Sequence, residues 1–109
     1  MIFIALNCTF AFACKCAIPE SDEEAIKDSD IAFIGTVEEL KEEDSTKETL
    51  TAVFKVDKWH KGSNEPLVEI KAYTSGNRCA VRLDVGSKYK IFYSFSHPLT
   101  FCTRSAKIT

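Results

Sequence analysis

The stretch Ala11-Phe12-Ala13-Cys14-Lys15-Cys16 constrains this chain more than any other. It closes an apolar run, and Ala11-x-Ala13 is the small-residue pattern at which signal peptidase cuts. A cut after Ala13 removes residues 1–13 as a signal peptide. The mature domain, residues 14–109, then begins at Cys14, with Cys16 two positions on and Pro19 shortly after. Fold, compartment and function all depend on that cut.

The apolar run is too short to cross a bilayer, which takes about 20 apolar residues, so no transmembrane segment is expected. It has no leading Lys or Arg and is broken by Asn7, Cys8 and Thr9. Either the true start lies upstream or this is a minimal signal, and the bland alternative is a buried N-terminal strand of a cytosolic protein. The cysteines favour export. Of the five, Cys8 leaves with the signal. Cys14, Cys16, Cys79 and Cys102 remain, an even set suited to a disulfide framework in a secreted, extracellular protein. Pairing Cys14 with Cys16 would close a strained ring. The other two connectivities stay open, and each ties the N-terminal segment to the distant C-terminal half.

Charge serves mainly to exclude partners. The net charge is −2, and every charged residue follows Cys14. Without a cluster of Lys and Arg there is little to hold phosphates, so nucleic acid is not an expected partner. A chain of 109 residues with 45% hydrophobic and 28% charged residues makes one ordered domain. No repeat or second domain interrupts it.

Ser21 followed by Glu24 is a capping box, and the acidic turn Asp22-Glu23-Glu24 suits a helix N-terminus, which predicts a short helix over 22–29. That use of the carboxylates is simpler than a calcium site. Residues 31–40 alternate as a strand, with Phe33, Gly35 and Val37 on one face. A glycine inside a strand marks a sharp bend or bulge. Residues 41–48 are charged and polar throughout, a solvated hairpin connection. A second strand follows over 49–58, ended by Trp59-His60-Lys61-Gly62, and a third over 66–74 with Val68, Ile70 and Ala72 inside. Residues 78–85 carry Cys79 and read as a short irregular strand. The aromatic stretch 88–96 is the most strand-like in the chain, and 100–104 reads as a last strand holding Cys102. One early helix followed by four or five closely spaced strands, without βαβ alternation, predicts a mainly β domain: an antiparallel sheet or a small five-stranded barrel of the OB Greek-key type.

No enzyme chemistry is visible, and no cofactor is expected. His60 and His97 stand in turns without ligand-spaced partners, and no phosphate loop, nucleophile elbow or zinc-protease motif occurs. Cys-x-Cys is not the thiol-oxidoreductase spacing, and the paired knuckles of a four-cysteine zinc site are missing. Tyr89, Phe92, Tyr93 and Phe95 could stack bases on a barrel face, but sheet packing is the commoner use.

Taken together, these motifs carry a resemblance. Cys14-Lys15-Cys16, the following proline, the short helix before Ile31-Ala32-Phe33-Ile34-Gly35-Thr36-Val37, and Val53-Phe54-Lys55-Val56 leading to Trp59-His60-Lys61-Gly62 form its first part. Cys79, Gly86-Ser87-Lys88-Tyr89 and Cys102-Thr103-Arg104 complete it. The chain resembles the N-terminal, netrin-like OB-fold domain of the tissue inhibitors of metalloproteinases, most of all the short single-domain type. The resemblance implies two disulfides, Cys14–Cys79 and Cys16–Cys102. It implies a monomer whose partner is a zinc metalloprotease. Cys14 would act as a wedge, its α-amine and carbonyl oxygen chelating the protease's zinc, with Lys15, Cys16 and Ala17 touching the protease. Cys14 is thus a metal ligand only in that complex. An N-terminal amine has a pKa near 7.7–8.0, so a useful fraction is neutral and can donate its lone pair. A catalytic zinc keeps one position open for water, and the chelate would take it.

Family inhibitors carry Thr or Ser where this chain has Lys15. A long cation in an apolar pocket costs desolvation unless an acid receives it. The family's third N-domain disulfide and its C-terminal domain are absent from this sequence. The rival reading is a non-inhibitory extracellular OB-type module that binds a protein through its barrel face or the 41–48 and 74–78 loops, with lipid anchoring at Cys14 as a variant of it.

Overall fold

A computed structural model of the chain describes residues 16–42, 49–74 and 78–108. The period-2 alternation of the first two apolar segments produces two long strands, β1 (Ile31–Glu42) and β2 (Thr49–Lys61), which pair antiparallel along most of their length. Strand β3 (Leu67–Tyr73) pairs with β2, β4 (Lys88–Tyr93) with the other side of β1, and β5 (Ala106–Lys107) with β4. The sheet order is β3-β2-β1-β4-β5, antiparallel between all neighbours. A parallel bridge joins Ala72 of β3 to Leu99, in the chain after β4. There the Leu99 N–H donates to the Lys71 carbonyl at 2.8 Å, while the Lys71 N–H donates to Tyr93 Oη at 3.2 Å.

The bend expected in β1 is present. The β1–β2 register shifts between Ile34 and Gly35, with further shifts between Ala32 and Phe33 and between Val37 and Glu39. A Cβ on Gly35 would lie 2.9 Å from the Lys55 carbonyl oxygen and 3.2 Å from the Phe33 ring. The glycine therefore permits a close approach that no other residue allows. Beneath the sheet, Phe33, Phe54 and Tyr89 are fully buried and meet edge to face, with centroids 5.3 Å (Phe33–Phe54) and 6.3 Å (Phe54–Tyr89) apart. Such pairs add about 0.5–1.5 kcal/mol each beyond area burial.

The helix α1 (Asp22–Asp28) starts at the Ser21 cap, whose Oγ accepts from the Glu24 N–H at 3.1 Å. Glu24 reaches back one residue further than in a standard capping box and accepts from the Glu20 N–H at 3.1 Å. Ala25 is buried against Ala32 and Phe92. Lys61 Nζ donates to the carbonyls of Ile26 (3.0 Å) and Lys27 (3.2 Å), satisfying orphan acceptors at the helix C-terminus.

Four strand expectations need correction. Strand β2 does not stop at residue 58: Trp59 pairs with Phe33 and Lys61 with Ala32, and the chain turns only at Gly62, where φ is +102°. Strand β4 ends at Tyr93 rather than at 96, because Asp30 captures the chain there. The Asp30 N–H donates to the Tyr93 carbonyl at 2.9 Å, and its carboxylate accepts from the Phe95 N–H at 2.8 Å. Residues 78–85 form no strand. Their backbone is held by Tyr89, whose Oη accepts from the Asp84 N–H (2.7 Å) and donates to the Arg82 carbonyl (3.0 Å). Lastly, 100–104 is not a strand but a single 3₁₀ turn, Phe101–Thr103. Thr100 Oγ1 accepts from the Cys102 N–H at 3.2 Å, a local capture that outcompetes a ladder.

Candidate functional site

Residues 1–15 lie outside the described residues. So the expected signal peptide, Cys14, Lys15 and the expected Cys14–Cys79 pairing fall outside them as well. The candidate site therefore begins at Cys16 and is built from how the chain that follows it is held.

Cys16, Ala17 and Ile18 run without regular structure and are exposed, Ile18 at 46%. Three anchors fix this segment and the helix start behind it, all reaching the neighbourhood of the 3₁₀ turn. Cys16 is disulfide-bonded to Cys102, with Cα atoms 5.8 Å apart. Arg104 Nη1 donates to the Pro19 carbonyl at 3.2 Å. Arg104 Nε donates to Asp22 Oδ1 at 2.7 Å, and Lys90 Nζ reaches the same oxygen at 3.1 Å. These two cations hold the Asp22 carboxyl below its ordinary pKa, the Arg104 hydrogen bond first and the Lys90 hydrogen bond next. The disulfide spans 86 positions of sequence, and closing so long a loop is worth about 4–5 kcal/mol in the chain-entropy model.

The turn is itself secured to the sheet. Ser105, 4% exposed, accepts from the Phe92 N–H at 2.8 Å and contacts Thr103 Oγ1 at 2.7 Å. Thr103 Oγ1 donates to the Thr100 carbonyl at 3.0 Å and Ser105 Oγ to the Phe92 carbonyl at 3.3 Å, so the 2.7 Å contact between the two hydroxyls shares one of these protons. The relay runs from β4 through Ser105 and Thr103 to Thr100. On the other side of the turn, the Phe101 N–H donates to the Cys79 carbonyl at 3.1 Å. The backbone of Cys79 therefore lies beside the turn that carries Cys102, and three of the four cysteines predicted for the mature chain gather there.

Behind the segment lies a groove of about 200 Å³, bordered by Ala17, Pro19, Ser94, His97 and Cys102. His97 faces the Pro98 carbonyl at 3.3 Å through Nδ1, and His60 is exposed at the far end of β2. The structure does not bring the two histidines into one site. Among the described residues, no three His, Cys, Asp or Glu side chains gather as a metal set. No helix among them is long and apolar enough to cross a membrane.

The sequence reading picked out Cys16, Ala17, Cys79 and Cys102 as site residues, named Arg104 only within a motif and Asp22 only as a helix-start acid, and passed over Ser105. A signal for Arg104 was available. It stands two residues after the cysteine expected to bind Cys16, so its long side chain is within reach of whatever follows Pro19. No protein-family model and no curated protein matches this chain.

Proposed function

We propose that this protein is a secreted inhibitor of a zinc metalloendopeptidase, using an N-terminal Cys14 generated by signal cleavage. Its amine and carbonyl oxygen chelate the target's catalytic zinc in place of water. One observation carries the reading: the exposed segment starting at Cys16 is pinned at Cys16, Pro19 and Asp22 to a single buttressed turn. A segment held this way loses little freedom when it enters a cleft, which is the main cost of binding with an extended chain. The Cys79 carbonyl at Phe101 supports a second staple from Cys14 to Cys79, since the two residues from Cys16 back to Cys14 span about 7 Å. The strand order with the parallel Ala72–Leu99 bridge supports an OB-type barrel. Lys15 selects a target whose first primed-side pocket holds a carboxylate, because only such a pocket repays desolvation of the cation.

The test compares secreted protein bearing free Cys14 with a variant extended by one alanine ahead of it, against a panel of zinc metalloendopeptidases. The extension should weaken inhibition by at least about two orders of magnitude, or about 2.7 kcal/mol. Equal inhibition by both forms, or an acylated native terminus, would rule the chelate out. The rival reading, an extracellular protein-binding module, is favoured by one feature, Phe95. It is 68% exposed and leans on Tyr93 with centroids 6.0 Å apart. A module of that kind keeps its partner when the N-terminus is extended.

A further inference from the structure

We infer that Arg104 is a positioning residue for inhibition, locking residues 16–22 into the conformation that presents the N-terminus. This rests on the inhibitory reading above. Three observations converge on it. Arg104 is the one non-glycine residue with positive φ among the described residues, at 78°. A left-handed arginine is strained where glycine would not be, and strain of that kind persists where the side chain is put to use. The guanidinium is used twice, on the Pro19 carbonyl (3.2 Å) and on Asp22 Oδ1 (2.7 Å). It therefore grips both the end of the exposed segment and the first residue of α1. The third observation is placement. Arg104 follows Cys102 by two residues, so the turn that bonds Cys16 through sulfur also holds Pro19 through the guanidinium.

The left-handed backbone also supplies the discriminating variant. Arg104→Gly removes both contacts and simultaneously relieves the backbone, so a residue of purely structural value should lower the melting temperature when replaced, whereas a positioning residue should weaken inhibition without lowering it. In the full mature protein, amides of residues 16–22 should exchange with solvent about tenfold faster in Arg104→Gly. The inhibition constant against the target protease should rise by about tenfold, with the melting temperature at or above wild type. Arg104→Lys keeps the charge for Asp22 but lacks the fork that serves Pro19 as well, so it should fall between the two. Unchanged exchange at 16–22 beside potent wild-type inhibition would overturn the role of Arg104 alone. Faster exchange with an unchanged inhibition constant would do the same. Wild-type protein that inhibits no metalloprotease would remove the inhibitory reading and this role with it, whatever the exchange data show.

Discussion

Replacing Ser105 by alanine should loosen the turn that carries Cys102 and Arg104, and the size of the effect can be worked from its contacts. Ser105 is 4% exposed, and its hydroxyl accepts from the Phe92 N–H at 2.8 Å while lying 2.7 Å from Thr103 Oγ1. In Ser105→Ala the Phe92 amide loses its hydroxyl partner in a buried setting, which costs about 1–3 kcal/mol. Loss of the hydrogen bond to Thr103, which remains able to donate to the Thr100 carbonyl, adds about 1 kcal/mol. The sum is about 2–4 kcal/mol, and for a domain of this size it lowers the melting temperature by roughly 10–20 °C. Urea unfolding followed by Trp59 fluorescence is a suitable assay, because Trp59 is the only tryptophan and packs against the buried Phe33 ring in a tilted contact with centroids 5.1 Å apart. A shifted midpoint with an unchanged m-value is expected. A loss below about 0.5 kcal/mol would refute the relay from β4 to the turn, and with it the argument that the turn is a rigid base for the N-terminal segment.

Two further outcomes follow from the same physical reasoning. Gly62→Ala should destabilise by at least about 2 kcal/mol in urea unfolding. A Cβ there would sit 2.5 Å from Ile31 Cγ2 and 2.9 Å from the Asp30 carbonyl oxygen, on a backbone with φ of +102°. Asp22→Asn should cost less than about 1 kcal/mol at neutral pH, because the ion pairs are half exposed and screened. Its pH dependence has a defined sign. The folded-state pKa is lowered, so the stabilisation is complete above the unfolded value near 3.9 and disappears as the pH falls through the lower folded value. Melting curves of wild type and Asp22→Asn should therefore converge as the pH drops from 6 towards 2.

What could be read from the sequence was whatever has a local cause. Ser21 and Glu24 marked the helix start because a cap acts within one turn of chain. Gly35 marked the bend because only a missing Cβ allows that approach to Lys55. The alternation in β1, β2 and β3 marked their buried faces because one side of each strand must leave water. The Cys16–Cys102 bond followed from the resemblance, and the structure contains it. Competition between local and distant partners hid the rest. Residues 100–104 carry strand-forming side chains, yet Thr100 captures the Cys102 amide before a ladder can. Residues 78–85 have strand-like apolar positions, yet the Tyr89 hydroxyl takes two of their backbone groups. The link from Arg104 to Asp22 crosses 82 positions, and no periodicity encodes a contact of that kind.

The hydrogen bonds at Lys71 bear on how copies of this protein meet one another. A β-sheet normally ends in a row of unsatisfied amides and carbonyls, which invites a strand from another chain. Along β3 that invitation is withdrawn at Lys71, whose N–H is taken by Tyr93 Oη and whose carbonyl is taken by Leu99. An incoming strand would have to evict a tyrosine hydroxyl and a backbone amide already in place. The contacts from Tyr93 and Leu99 thus shield β3 from templating edge-to-edge growth at this point.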